Sequence, residues 1–360
     1  MCNQTTPHRH SLYCIMPPYL LAAIAKNGTA AQRAFAIDTL SADFSFRTFR
    51  ATSAIAQATA PRARIAVMPG TEPVLKRTIY TAKNKQTLPG DVVRAEGAAA
   101  TGDAAVDEAY DGLGATYDLF FKEFNRNSID DAGMPLHATV HYGKDYDNAF
   151  WNGSQMVFGD GDQTLFKRFT ASLDVIGHEL THGVTEVEAA LAYQGQSGAL
   201  NESMSDVFGS LVKQYKLGQS ADQADWLIGA DLFAEPGPTR LALRSMKAPG
   251  TAYDDPVLGK DPQPAHMKDY VHTVEDNGGV HINSGIPNKA FYLAASAIGG
   301  NAWDDAGRIW YEALLDARLK PNATFKQFAK LTQASADKLH GADSTQSKAV
   351  TQAWKDVGVL

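Results

Sequence analysis

The segment Val175-Ile-Gly-His-Glu-Leu-Thr-His182 constrains this chain more than any other. Two histidines four positions apart share a face if the segment is helical, because an α-helix turns once every 3.6 residues. On that face His178 and His182 can chelate one ion, and Glu179 beside them can reach a water at that ion without ligating it. Two ordinary helix histidines are the competing reading, since so short a motif also arises by chance.

A second segment decides between the two. Asn201-Glu-Ser-Met-Ser-Asp206 begins 19 residues after His182, inside another stretch of helical pattern. Glu202 and Asp206 again lie one turn apart on a common face. A catalytic zinc takes three protein ligands and keeps one position for water, so Glu202 is the expected third ligand. Asp206 is then placed to accept the remaining N–H of His178 and fix its tautomer. An acidic pair on a helix is usually a solvated face, but that reading loses force beside an aligned His-Glu-x-x-His. Two histidines and one carboxylate suit zinc among the divalent ions.

The rest of the chain organises around these two helices. Its 360 residues suit two domains plus an accessory segment. Residues 11–50 pattern as a small helical module, Tyr19 to Ile24 and Ala30 to Leu40, with Asn27-Gly28 as the turn. Residues 51–64, small, polar and without acidic side chains, read as a linker or processing region. Short alternating runs follow, Arg77 to Thr81 and Ala138 to Tyr142, separated by turn-forming residues and interrupted by a helical stretch near Val106 to Asn125. From Phe169 the pattern turns helical: Ser172 is placed to cap the His178 helix, and further helices are expected at Leu200 to Tyr215, Ile286 to Ile298, Trp303 to Arg318 and Thr324 to Leu339.

A third segment, Asp276-Asn-Gly-Gly-Val-His-Ile-Asn-Ser-Gly285, completes a set of ordered motifs with Asn148-Ala-Phe-Trp151, the His178 helix, Tyr193 through Asp206, and Leu243-Arg-Ser-Met246. From about residue 77 to the C-terminus the chain resembles the thermolysin family of metallopeptidases. The segment Cys14-Ile-Met-Pro-Pro-Tyr19 resembles its protealysin-like branch, which carries a short propeptide. The resemblance implies an α+β, two-lobed fold: a β-rich N-terminal lobe (65–188, with the His178 helix), a mainly helical C-terminal lobe (189–360), a zinc cleft between them, and a small helical propeptide (1–50) ahead of the 51–64 region. It further implies Glu179 as the proton-transferring base, and His281 and Tyr193 as stabilisers of the developing oxyanion. Asp276 would orient His281, and Asn201 would support the surroundings of His182. Substrate backbone would be held by Asn148, Ala149 and Arg244. Phe166, Phe169, Val175, Ile228 and Leu243 would surround the residue after the scissile bond, predicting cleavage before large hydrophobic residues. For those five apolar residues plain core packing is the competing reading.

The chain departs from the family at the double calcium site. Asp174 and Asp225 occupy two acidic positions, but Lys213, Leu227 and Ala230 stand at others. Calcium needs six to eight oxygen ligands, so the site is expected to be absent, with the Lys213 ammonium in place of the cation. A lysine simply exposed to solvent is the alternative.

The N-terminal 50 residues carry five Lys/Arg against two Asp, or +3, so the remainder carries −10 of the net −7. Such a leader can act as an intramolecular inhibitor lying across the cleft. Two readings stand for Cys14: a thiolate offered to zinc, or a small apolar group packed beside Pro17, Pro18 and Tyr19. Maturation is expected between Arg50 and Arg64. The acidic net charge argues against nucleic acid as a partner, and no run approaches the about 20 apolar residues of a membrane span. The apolar run Leu12 to Ala25 is broken by Pro17-Pro18 and lacks the order of a secretory signal. Release by a non-classical route is therefore expected, with a cytoplasmic location as the alternative. The expected function is zinc-dependent endopeptidase on protein and peptide substrates. Its alternatives are a zinc exopeptidase, for which no terminus-capturing feature is visible, and a silent binding homologue, which would usually lose part of the constellation.

Overall fold

A computed structural model of the chain describes residues 13–57, 74–235, 237 and 239–360. The N-terminal lobe is built on a six-stranded sheet in the order β1-β5-β6-β4-β2-β3. Here β2 is Arg77–Thr81, β3 Asp91–Ala95, β4 Leu136–Val140, β5 Ala149–Trp151 and β6 Met156–Phe158. Strand β4 runs parallel to both β2 and β6, whereas β3 and β5 are antiparallel to their neighbours. The strand beyond β5 comes from the leader: β1, Tyr13–Cys14, lies antiparallel to it, Tyr13 opposite Trp151 and Cys14 opposite Phe150. The connection between β3 and β4 carries helix α3, Ala104–Phe124, capped by the Asp103 carboxylate accepting from the Ala105 and Val106 N–H groups.

After β1 the leader forms α1, Pro18–Asn27, and α2, Ala30–Gln57. Pro18 sits at the first helical position, where its missing N–H costs nothing. Helix α2 is longer than the sequence suggests and takes in residues 51–57 of the expected linker. The small composition read there as a linker is rich in alanine, the best helix former, and Pro61 is the first breaker. Residues 58–64 of that region lie outside the described residues.

The C-terminal side is helical, with α4 Leu173–Glu188, α5 Gly195–Leu217, α6 Asp276–Asn283, α7 Gly285–Ile298, α8 Arg308–Leu315, α9 Phe325–His340 and α10 Thr345–Asp356. Two short ribbons, β7 Leu227–Ile228 with β8 Arg244–Ser245 and β9 Asp254–Asp255 with β10 Gly259–Lys260, lie between α5 and α6. The expected helix from Trp303 is a wide turn over Trp303–Gly307 that continues into α8. It stops at Leu315 because Asp316 turns extended. No helix among the described residues is long and apolar enough to cross a membrane.

Helices α4 and α5 carry the site, and two glycines set their separation. A Cβ on Gly209 would fall 2.4 Å from the Asp174 carbonyl oxygen, and one on Gly177 only 3.0 Å from Gly209 Cα. Side chains there would push the helices apart. Helix α4 is buried on every side from Asp174 to Glu186, as a helix at the centre of a protein is. Its capping differs from expectation. Ser172 occupies the N-cap, but its hydroxyl donates to Asp174 Oδ1 at 2.6 Å instead of accepting a backbone N–H.

At the far end of β4, His141 ties three elements together. Its Nδ1 lies 2.8 Å from Asp160 Oδ2 and its Nε2 3.0 Å from Asp103 Oδ2, the cap of α3. The Asp160 bond, then Asp103, outweigh partial burial and raise its pKa to about 9. Since the folded value exceeds the ordinary 6.5, the charged ring stabilises the fold fully below that value and ceases to do so as pH rises through about 9. His141→Asn, which keeps a residue tolerant of the φ of 54° at this position, is expected to lower the thermal midpoint most near pH about 6 and least near pH about 10. A gap that does not narrow at high pH would show that the ring's charge contributes nothing.

Candidate active site

His178 and His182 project from one face of α4 toward Glu202 of α5, and all three are fully buried. Each imidazole is fixed from behind. His178 Nδ1 lies 2.8 Å from Asp206 Oδ1 and His182 Nδ1 2.7 Å from Asn201 Oδ1. Both of those oxygens only accept, so both Nδ1 atoms carry the proton and both Nε2 atoms present lone pairs. These Nε2 atoms are 3.0 Å apart. Glu202 adds Oε2 at 3.5 Å from His178 Nε2 and Oε1 at 3.6 Å from His182 Nε2. Its Oε2 is buried and accepts no hydrogen bond. Two converging lone pairs and an unsatisfied carboxylate oxygen repel one another unless a cation lies among them. The residues therefore fit zinc, and among the described residues no other such cluster of His, Cys, Asp and Glu forms.

The groups assigned to chemistry by resemblance lie around this triad. Glu179, fully buried, accepts the Trp151 N–H at Oε2 (3.1 Å), which holds it against β5. Tyr193 donates to Glu202 Oε1, and its hydroxyl is 3.3 Å from His281 Nε2. His281 Nδ1 lies 2.6 Å from Asp276 Oδ1, while Asp276 Oδ2 accepts the His281 backbone N–H at 2.9 Å. Burial lowers the pKa of this ring, but Asp276 and Glu202 outweigh it and the net direction is up. The local backbone makes the Asp276 contact possible. Asp276, Asn277, Gly278 and Gly279 run through φ of 49°, 50°, 81° and 75°, four left-handed residues in succession. Two glycines and an Asx pair are the residues that tolerate this region.

Asp206 does more than hold His178. Its two oxygens also accept Arg244 Nη2 and Nε, each at 2.8 Å, and Asn288 Nδ2 at 2.8 Å. Burial alone would raise this carboxyl, but Arg244 and His178 hold it well below the usual range. Arg244 is placed by pairing of β8 with β7, where it stands opposite Ile228. Asn288 was not singled out from sequence; it lies seven residues beyond His281, two helical turns on, and that spacing was the available signal.

The leader enters the same site. Ile15 N–H donates to the Ala149 carbonyl (3.3 Å), Met16 N–H to Asn148 Oδ1 (3.2 Å), and Arg244 Nη1 to the Ile15 carbonyl (3.2 Å). Of the two readings for Cys14, the structure favours packing. Its side chain joins an apolar cluster with Tyr142, Tyr146 and Phe150, and it is the Cys14 carbonyl that meets His281 Nε2, at 3.2 Å. Pro17 and Leu20 are buried, Pro18 and Tyr19 partly so. Phe166, Phe169, Val175, Ile228 and Leu243 are all buried in the main apolar core of the protein, as are Ile15 and Met16 of the leader. A second residue missed from sequence is Asp43 of α2, buried, which accepts from Asn148 Nδ2 (2.9 Å) and the Tyr146 hydroxyl (3.1 Å).

At the expected calcium position Lys213 Nζ lies 3.3 Å from Asp174 Oδ2 and 2.9 Å from Asp225 Oδ2. Its side chain is 12% exposed, so it is not the solvated lysine of the alternative reading. Burial lowers its pKa, but the two aspartates outweigh that and raise it. Asp174 Oδ1 accepts Ser172 and the Gly229 N–H, so its other oxygen is left for the ammonium.

A two-lobed fold with a His-His-Glu triad and an adjacent glutamate defines a zinc metalloendopeptidase. The chain belongs to the thermolysin family: residues 67–186 match "Thermolysin metallopeptidase, catalytic domain" and residues 189–359 match "Thermolysin metallopeptidase, alpha-helical domain". It is 56% identical over 352 residues to the "Extracellular metalloprotease" of Pectobacterium carotovorum subsp. carotovorum, covering 96% of each chain. It is 57% identical over 287 residues to "Protease PrtS" of Photorhabdus sp. (strain Az29), covering 79% of this chain and 76% of that one. Among solved structures, the precursor of protealysin, a metalloproteinase from Serratia proteamaculans, superposes with a TM-score of 0.86 at 54% identity, over 97% of this chain and all of that one. The protealysin-like resemblance read from Cys14 to Tyr19 holds across nearly the whole length.

Asp206→Asn is expected to weaken zinc binding by about tenfold to a hundredfold, the usual cost of losing the group behind a ligating histidine. Competition with a chelating dye measures this directly; unaltered affinity would mean that Asp206 serves Arg244 and Asn288 and not the metal.

Proposed function

We propose that the protein is a precursor of an endopeptidase that hydrolyses internal peptide bonds before large hydrophobic residues and is held silent by its own leader. The observation that carries this reading is the meeting, in one buried place, of the metal-ligand triad, Glu179 and three backbone-holding groups bonded to residues 15 and 16 of the leader. When bound by His178, His182 and Glu202, zinc supplies Lewis acidity and lowers the pKa of water toward roughly 7. Glu179 takes a proton from the attacking water and delivers it to the leaving nitrogen. His281 and Tyr193 donate to the carbonyl oxygen as its negative charge develops. Asp276 and Asp206 act through the histidines they hold, and Asn201 through His182. Asn148, Ala149 and Arg244 fix the substrate backbone, so that little freedom remains to be lost at the bond-breaking step. The apolar set Phe166, Phe169, Val175, Ile228 and Leu243 selects the residue after that bond.

Residues 1–50 are the inhibitory segment in this reading, with maturation between Arg50 and Arg64, and the bodies of the two lobes are 65–188 and 189–360. The extracellular relative at 56% identity supports release from the cell. We assign that release to a non-classical route, because the apolar run Leu12 to Ala25 is broken by Pro17-Pro18 and lacks the order of a secretory signal.

Casein digestion by the zinc-loaded chain after its leader has been removed between Arg50 and Arg64, and cleavage of an end-blocked peptide by the same form, test the endopeptidase reading. Both are expected to be lost with a chelator and in Glu179→Ala; cleavage confined to peptides with free ends would assign an exopeptidase instead. Cys14→Ser is expected to keep its latency, since the thiol packs among aromatic rings; release of activity would return the thiol to the metal.

Lys213 replaces the cation of the family's double calcium site in this reading. Calorimetric titration is expected to show no tight calcium binding. Lys213→Ala is expected to lower stability by about 3–5 kcal/mol at most, because it leaves Asp174 buried and unpaired. Tight calcium binding that disappears in Asp174→Ala would reject the replacement.

A further inference from the structure

We propose that the chain holds residues 13–16 of its leader as a substrate in productive register and hydrolyses its own Cys14–Ile15 bond, an inference that rests on the peptidase reading above. A leader that merely obstructed a cleft could run in either direction with any bond at the centre. This one presents a single amide with both of its atoms engaged. The Cys14 carbonyl oxygen faces His281 Nε2 at 3.2 Å, and the Ile15 nitrogen donates to the Ala149 carbonyl at 3.3 Å.

The neighbours on either side agree on the register. Before the bond, Tyr13 and Cys14 extend the sheet, opposite Trp151 and Phe150. The N–H of that same Trp151 holds Glu179 Oε2 at 3.1 Å, which places the base beside the strand. After the bond, the Ile15 carbonyl accepts from Arg244 and the Met16 N–H donates to Asn148 Oδ1, each at 3.2 Å. An added strand is read by its main chain for affinity and by alternate side chains for specificity. Cys14 turns into the cluster of Tyr142, Tyr146 and Phe150, while the Ile15 side chain is fully buried in the main core. The residue after the engaged bond is thus a buried aliphatic one, the class the site is proposed to select.

In the reaction a water hydroxyl adds to the Cys14 carbonyl carbon and the bond from that carbon to the Ile15 nitrogen breaks. One water proton ends on that nitrogen. The products are a Cys14 carboxyl and an Ile15 amine. The cut does not by itself free the cleft. The leader helices remain joined to Ile15, and Asp43 of α2 still grips Asn148 Nδ2 at 2.9 Å. Removal of residues 1–14 is therefore a step separate from maturation after residue 50.

The test is intact-mass analysis of the zinc-loaded full-length chain over time, with casein digestion followed in parallel. The expected result is release of a fragment ending at Cys14, absent in Glu179→Ala and with a rate constant unchanged over about tenfold dilution, as for a reaction within one molecule. Ile15→Asp is expected to slow that cut by at least about tenfold, and Ile15→Leu to preserve it, because a carboxylate is costly to bury where an aliphatic chain is not. Casein degradation with the Cys14–Ile15 bond intact would overturn the register while leaving the peptidase reading standing. A cut that accelerates with concentration, or persists in Glu179→Ala, would also overturn it. Failure to degrade casein even after the leader has been removed between residues 50 and 64 would instead strike at the peptidase reading.

Discussion

The close approach of α4 and α5 is the constraint on which the rest depends. Gly177 and Gly209 let the two backbones touch, with no room for a Cβ at the crossing. That contact brings side chains from two helices to within coordinating distance of a single point. His178 and His182 alone are two ligands on one helix; only the depth of the contact adds Glu202 as the third. It also brings Asp206 behind His178, so the group that fixes the ligand's tautomer is delivered by the same packing event that delivers the ligand.

Asp206 extends this centre outward. One carboxylate serves a histidine of the triad, both ends of the Arg244 fork and the Asn288 amide. A buried charge with that many donors is satisfied without solvent, and it makes the metal-binding histidine and the guanidinium that meets the leader parts of one network. Arg244 in turn reaches the leader, so the leader strand, the guanidinium and the ligating histidine are connected through consecutive hydrogen bonds. Beside α4, Lys213 between Asp174 and Asp225 supplies a cross-link made wholly from protein groups. It pins α5 to the start of the helix that carries the histidines.

Much of this was legible in the sequence because its signals are local or repeat at the helical period. The 178/182 and 202/206 pairs declare a shared face by spacing alone. The helix expected from Thr324 begins there, and the structure shows Thr324 and Gln327 closing a reciprocal cap. The misses also have physical causes. Ser172 has the right identity for a cap, yet its hydroxyl goes to Asp174, because a buried carboxylate is the stronger acceptor. Residues 51–57 read as linker but are helical, because the alanines that make a segment featureless also favour a helix. The short strands β5 and β6 and the final helix α10 lacked a periodic pattern strong enough to mark them. Asp43 and Asn288 were invisible as site residues because their partners lie 105 and 82 positions away in the chain.

The sequence by itself determined the chemistry. Residue type and helical spacing named a zinc ligand set, a glutamate able to reach a water beside it and an orienting aspartate, and Lys213 stood out where the resemblance implies an acidic residue. Those facts are written within a few turns of backbone, whose geometry is the same in any protein. Tertiary structure alone decided which amide of the leader faces His281, that Cys14 contributes its carbonyl and turns its thiol into an apolar cluster, and that Asp43 reaches across to Asn148. Each of these is a contact between distant segments, set by how closely whole surfaces pack, and the burial that fixes them is a sum over many side chains that no local pattern contains.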